Sequence, residues 1–454
     1  MENAFAGSGF SKEAPLYVFP MEMFLPGSDL TPIERNIDKI IEGLTRWEPK
    51  LKGGKTTKPE KIIIEGEDHQ QAVATMNFLF LRNLWGDGLP ILPPTEERVK
   101  WLLMGTDLPP ETVVGKILPK GGIATVETLA IAAAMAGARP EYMPVIMASI
   151  EAIIDPGGLH EKWNATTGDP YPVVIVNGPI AKQIRLNSGY GCLGPSSEYP
   201  AGATIGRSLR FLLMNVGGAI PGVGTMSIYG GAARYTNVVF AEDEDGLPPD
   251  WRPLNVERGF PAGTNTVTVH PIGVAGTLYA ATTSTKEEAQ MTMRNWAAHL
   301  GIPAYSYWSH TFHPDGAPAI VLMSRGTAQG LSNLGWSKED VQAFLWENSK
   351  VPESALLKRW LETSVREGKV PRESVQYPMP IAPSPRNIMI VVAGGESGNH
   401  AYFMEVSFSG KVASKEIKLP GNWEELLKKA EEDLGPIPVP RAKSNNQGLG
   451  LGLG

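Results

Sequence analysis

Residues 173–177 read VVIVN, and Gly178 and Pro179 stop the run at once. A run this short is no helix. Unbroken apolar character also excludes a strand with one face in water. It predicts a central strand covered on both sides, so the chain needs layers above and below it. Residues 113–118, 236–241, 266–270, 319–323 and 388–393 also read as strands, and 61–64 (KIII) as a short one. Helices are expected over 68–85 behind the N-cap Asp68, then 95–104, 125–136, 143–154 and 204–216. Others follow over 286–300, 338–347 behind Ser337, and 423–434. The helices within 125–154 are apolar nearly all round, which buries them between layers. The alternation predicts an α/β fold: a mixed sheet layered with helices, Gly/Pro-rich loops and an extended N-terminal arm.

With 50 glycines and 39 prolines, long stretches must be loops. The expected division is an arm over 1–66, a main α/β domain over 67–300 and a second α/β portion over 301–440. A low-complexity tail over 441–454 ends in GLGLGLG. No repeat of about 20–50 residues is visible.

A net charge of −7 argues against a nucleic-acid partner, which would recruit clustered Lys and Arg. One cysteine excludes an internal disulfide framework and fits a reducing compartment. The first residues lack a basic segment followed by an apolar one. The most apolar stretch, 128–138, is too short to cross a bilayer and lies between Glu127 and Arg139. The expectation is a soluble cytoplasmic protein with no membrane partner. The arm and the apolar helices suggest a homo-oligomer, most simply a dimer.

Chemistry concentrates first in a strand, glycine-rich loop and helix spanning 173–218. The loop 187–197 (NSGYGCLGPSS) holds Cys192 between Gly191 and Gly194, and Arg207 and Arg210 follow on the helix. Backbone amides there can approach a ligand, and the helix start favours an anion. A thiol beside Arg and a helix start is expected to have a lowered pKa. The plainer reading makes Cys192 a buried small hydrophobe and the arginines ion-pair partners. Neither a dinucleotide fingerprint nor a phosphate-loop motif is present.

Glu242 directly follows a strand, where a carboxylate can serve as general base or metal ligand. The next acids, 243–245, read as a solvated turn. His310, His313 and Asp315 form the one pattern suggesting a divalent metal, in a loop whose aromatic residues also suit a structural role. The turn 394–400 (GGESGNH) after a strand could hold an anion or form a domain interface.

Several stretches together resemble a family of uncharacterised bacterial proteins associated with small selenoproteins carrying a selenocysteine-Gly-Ser-Cys motif. They are GLPILPPTEERV (88–99), ATVETLAIAAAMAG (124–137), RPEYMPVIMASIEA (139–152), ATTG (165–168) and VVIVNGPI (173–180). TIGRSLRFLLMNVGGAIPG (204–222), RYTNVVFAEDED (234–245), PLNVERGF (253–260), GWSKEDVQAFLWENSKVP (335–352) and IVVAGGESG (390–398) continue the likeness. It covers most of residues 88–400 in order and implies a thiol or redox neighbourhood by association alone. The chain departs from the family pattern at Ala138, where relatives have Cys, and at Arg325-Gly326-Thr327-Ala328, where they have Pro-Glu-His-Ala. The selenocysteine motif is absent, and a single thiol rules out an intrachain dithiol cycle.

The expected function is an enzyme acting on a small, anionic metabolite by acid–base chemistry, of lyase, hydratase or isomerase type. Cys192, Glu242, Arg207 and Tyr235 are the expected catalytic residues, and Asn177, Gly191, Gly194, Asn215 and Arg210 the expected substrate contacts. Asn177, Cys192, Arg207 and Glu242 should then converge on one pocket. One alternative is a thiol-dependent oxidoreductase using Cys192 with a redox partner protein. Another is a non-catalytic binding or scaffold subunit.

Overall fold

The computed structural model describes residues 29–46, 61–279, 283–301, 319–356, 358–396, 400–406 and 411–437. The fold is α/β. A hairpin of β1 (Val113–Ile117) and β2 (Gly122–Thr125) stands apart from one curled, mixed sheet of seven strands. These are β3 (Tyr171–Asn177), β4 (Val238–Ala241), β5 (Thr266–Tyr279), β6 (Ala319–Met323), β7 (Ile388–Val392), β8 (His400–Val406) and β9 (Ala413–Glu416). The VVIVN run lies inside β3, which is buried at every position. Each Val or Ile buried there contributes about 1.5–3 kcal/mol.

The sheet order β4-β3-β5-β8-β6-β7 has the same pattern from either end. β3 runs parallel to β4 and antiparallel to β5; β6 runs parallel to β7 and antiparallel to β8. β5 and β8 join the halves antiparallel. Each half is thus a strand, a helical crossover, a parallel strand and an antiparallel return. This two-fold repeat is far longer than about 20–50 residues. The strand β9 adds to the other edge of β5.

Three apolar clusters follow from strand alternation. Val174, Val176, Val239, Val267 and Val269 face outward in the first half. They pack under α1 (Val126–Ala136), α2 (Met143–Ile153) and α3 (Ala201–Phe211). Val321, Met323, Ile388, Ile390 and Val392 face outward in the second half. There α4 (Lys286–Leu300), α5 (Arg325–Asn333) and α6 (Lys338–Asn348) cover them. The alternate residues Val173, Ile175, Phe240, Ile272, Leu322, Val391 and Met404 fill the inside of the curl. One sheet therefore runs through both the 67–300 and 301–440 portions, and α4 covers the second half although it precedes residue 301.

Local rules explain most elements. The Asp68 side chain accepts from the Gln71 amide to cap the helix His69–Arg82, and Ser337 and Asp340 form a capping box at α6. α3 lies directly on β4 because Gly202 and Gly206 face it. A methyl at Gly206 would sit 2.0 Å from the Thr236 carbonyl oxygen. The helix expected over 204–216 begins earlier, at Ala201, and widens into a π-turn over Leu212–Val216. Residues 61–64 join no sheet, and the strand expected to end at 270 continues to Tyr279. No helix among the described residues is long and apolar enough to cross a membrane.

Candidate functional site

The curl brings the carboxyl ends of both parallel pairs together. The Asp243 amide, just past β4, donates to the Val392 carbonyl of β7 at 2.8 Å. The glycine-rich loop after Asn187 bridges the same junction. The Asn187 carbonyl accepts from Ala241 N–H (3.0 Å) and the Ser188 carbonyl from Gly394 N–H (2.9 Å). Asn187 also ties the loop internally, accepting from the Gly189 amide and donating to the Tyr190 carbonyl, both at 2.9 Å. Gly191 adopts φ 70°, a conformation that favours glycine.

Beneath this loop lies a cleft of about 420 Å³. One wall is Gly191-Cys192-Leu193-Gly194-Pro195; the other is the inner face of the second half. Because side chains alternate along β8, Ala401 and Phe403 join the outer layer while Tyr402 packs against the inner one. Tyr402 stands between Thr277 of β5 and Leu322 of β6 in the ladder, and these three line the cleft floor. His400 is at its rim, exposed. Its backbone is fixed from α5: the His400 carbonyl accepts from Ser324 N–H and from the Thr327 hydroxyl, each at 3.2 Å. Ser324 caps that helix and also lines the cleft.

The thiol of Cys192 is buried against the inner cluster, and burial pushes its pKa up to about 12. This reverses the expected acidification: desolvation is the largest cause, and no arginine is among the groups that shift the thiol. Burial likewise raises the Tyr402 phenol, which stays a hydroxyl donor at neutral pH. Among the described residues, no lining residue is acidic, and none is Lys or Arg. The nearby Arg325 is occupied by Asp243 at 2.9 and 3.0 Å.

The expected site residues divide into three groups. Cys192, Gly191 and Gly194 line the cleft. Asn177 and Glu242 meet each other instead, at the carboxyl ends of β3 and β4. Asn177 Nδ2 donates to Glu242 Oε2 at 2.7 Å, and Leu254 N–H donates to the same oxygen at 2.7 Å. Burial raises the Glu242 carboxyl, partly offset by Lys338, the Leu254 amide and Asn177.

The remaining expected residues lie away from the cleft lining. Arg207 turns to the other side of α3 and holds Asp87 in a bidentate pair at 2.8 and 2.9 Å. Arg210 is buried, donates to the Ala219 carbonyl, and is pushed down to about 10 by desolvation. Asn215 donates to the Trp85 carbonyl, and Tyr235 is exposed. The fourfold convergence of Asn177, Cys192, Arg207 and Glu242 is therefore not observed. His310, His313 and Asp315 lie outside the described residues.

His400, Tyr402, Thr277 and Ser324 were absent from the expected site. The glycine turn before His400 was visible, but the strand after it was not. The chain matches no protein-family model, no curated protein and no solved structure.

Proposed function

We propose that the chain is an enzyme of acid–base chemistry, of lyase, hydratase or isomerase type, working in the cleft under the Cys192 loop. The observation that carries this reading is one cleft holding an imidazole, a phenol and two hydroxyls. It lies at the carboxyl ends of a parallel strand pair, where α/β sheets bind ligands. Imidazole is the side chain suited to proton exchange near neutral pH, so His400 takes the general acid–base role. Tyr402, kept protonated, donates to a developing oxyanion, and the Ser324 and Thr277 hydroxyls orient the substrate.

The lining chemistry favours a small substrate with an apolar body and a carbonyl or hydroxyl function over a strongly anionic one. Arg207 and Arg210 are engaged elsewhere, and Arg325 is neutralised. A thiolate mechanism is disfavoured by the raised pKa of Cys192. The test is a thermal-shift screen of small carbonyl and hydroxy compounds against wild type and Leu322→Trp, which fills the cleft floor. Hits that stabilise wild type and lose their shift in Leu322→Trp support the reading. Hits indifferent to that variant place binding elsewhere.

A further inference from the structure

The two-fold repeat gives the cleft a counterpart at the carboxyl ends of β3 and β4, and that counterpart is filled with polar side chains. Asn177, Glu242 and Thr266 all point inside the curl, continuing the faces of Ile175, Phe240 and Ile272. Asn177 stands opposite Thr266 in the β3–β5 ladder and is hydrogen-bonded to Glu242. All three are at most 4% exposed. Among the described residues, each keeps one buried oxygen without a partner: Asn177 Oδ1, Glu242 Oε1 and Thr266 Oγ1.

A second carboxylate belongs to this group. Asn177 Nδ2 also lies 3.1 Å from Glu244 Oε1, which accepts from Gly178 N–H at 2.6 Å as well. Two carboxylates thus converge on one amide nitrogen, and neither forms an ion pair among the described residues. Lys338, whose charge reaches Glu242, directs its ammonium to Glu257 (3.0 Å) and the Arg252 carbonyl (3.0 Å). Asn177 cannot be flipped to satisfy its oxygen, because Nδ2 would then leave both carboxylates facing an acceptor. Buried acceptors and unpaired charge are each costly, and no group among the described residues completes this site.

We propose that Asn177 Oδ1, Glu242 Oε1 and Thr266 Oγ1, with Glu244, hold a hard divalent cation such as Ca²⁺ or Mg²⁺. The donor set is oxygen only, which suits these ions and disfavours zinc or copper. Two carboxylates match a double positive charge. A cation there would pin β3, β4 and β5 together beside the junction of the two halves.

The test uses the full chain, stripped with EDTA and returned to CaCl₂, MgCl₂ or KCl at constant ionic strength. The expected result is a rise in Tm of several degrees with Ca²⁺ or Mg²⁺ and none with KCl. Thr266→Val, a nearly isosteric change, should weaken the apparent affinity at least tenfold, and Glu242→Gln should abolish the response. Elemental analysis of untreated protein should find about one such ion per chain. Absence of any divalent-specific shift, or an equal shift in wild type and Thr266→Val, overturns the proposal. A water bonded to Asn177 Oδ1 and Glu242 Oε1 in a high-resolution structure grown with CaCl₂ also overturns it. Should Glu242→Gln fail to fold, the Thr266→Val titration decides alone.

Discussion

Arg325 grips Asp243 through two parallel N–H···O bonds of 2.9 and 3.0 Å, joining the start of α5 in one half to the end of β4 in the other. The Arg325 amide also donates to the Gly395 carbonyl at 2.8 Å, so the contact closes the junction beside the cleft. Its side chain is 40% exposed, which screens the pair. A double-mutant cycle with Arg325→Ala and Asp243→Ala should give a coupling of about 1 kcal/mol in urea unfolding. A coupling of zero would show that the junction is held by the backbone bonds alone.

Glu405 makes the stability of this protein depend on pH. It is 1% exposed, neither carboxyl oxygen has a partner among the described residues, and burial pushes its pKa up to about 8. An unfolded Glu titrates near 4.3, so between about pH 4.3 and 8 the unfolded chain has lost a proton that the folded chain keeps. Stability therefore falls as pH rises through this window, by up to about 1.4 kcal/mol per pH unit. Glu405→Leu removes that dependence. In urea unfolding its advantage over wild type should grow by about 2–4 kcal/mol between pH 5 and pH 8. A gap that does not change with pH contradicts the buried-acid explanation.

Glycine at 206 is required by the close approach of α3 to β4. Gly206→Ala should cost about 1–3 kcal/mol, since its methyl would meet a backbone carbonyl that cannot yield cheaply. Gly43, in the helix Ile37–Thr45, has open space around it. Gly43→Ala should instead be neutral or stabilising by about 0.5–1 kcal/mol. Similar costs at both positions, measured by thermal unfolding, would remove the packing argument.

Cys192 should be slow to react. With its pKa near 12, thiol titration of the folded protein at pH 7.5 should run on the order of a thousandfold slower than in denaturant. Rapid labelling of the folded chain would show that the loop opens or that the thiol is activated.

Much of the fold was legible because single residues dictate local form. The continuous apolar run at 173–177 gave a central strand, and Asp68 and Ser337 marked helix starts. The misses have physical causes. β5 was expected to end at residue 270, and Pro271, Gly273 and Gly276 beyond it are residue types that weaken strands. In the sheet, Pro271 lies opposite Pro172, and Gly276 faces the Phe403 ring that a Cβ would strike. β8 was missed because Ala401, Phe403 and Glu405 face one buried layer while Tyr402 and Met404 face another, so both faces carry mixed residues. Arg207, on the helix that follows the loop, was expected at the same pocket because it is close in sequence. Its actual partner is Asp87, whose nearness only the tertiary fold creates. Cys192, Gly191 and Gly194, singled out by the glycine-rich spacing around one thiol, line the cleft. His400 and Tyr402 come from the other half of the repeat, which no local motif connects to them.

The most direct test of the central claim follows proton exchange in D₂O by NMR, using a carbonyl compound that binds the cleft. Wild type and Cys192→Ser should both catalyse deuterium incorporation at the carbon next to the carbonyl. His400→Ala should slow it by about 10²–10⁴-fold while keeping the fold. Exchange that persists in His400→Ala but disappears in Cys192→Ser would contradict acid–base chemistry by the imidazole and return the cleft to thiol chemistry.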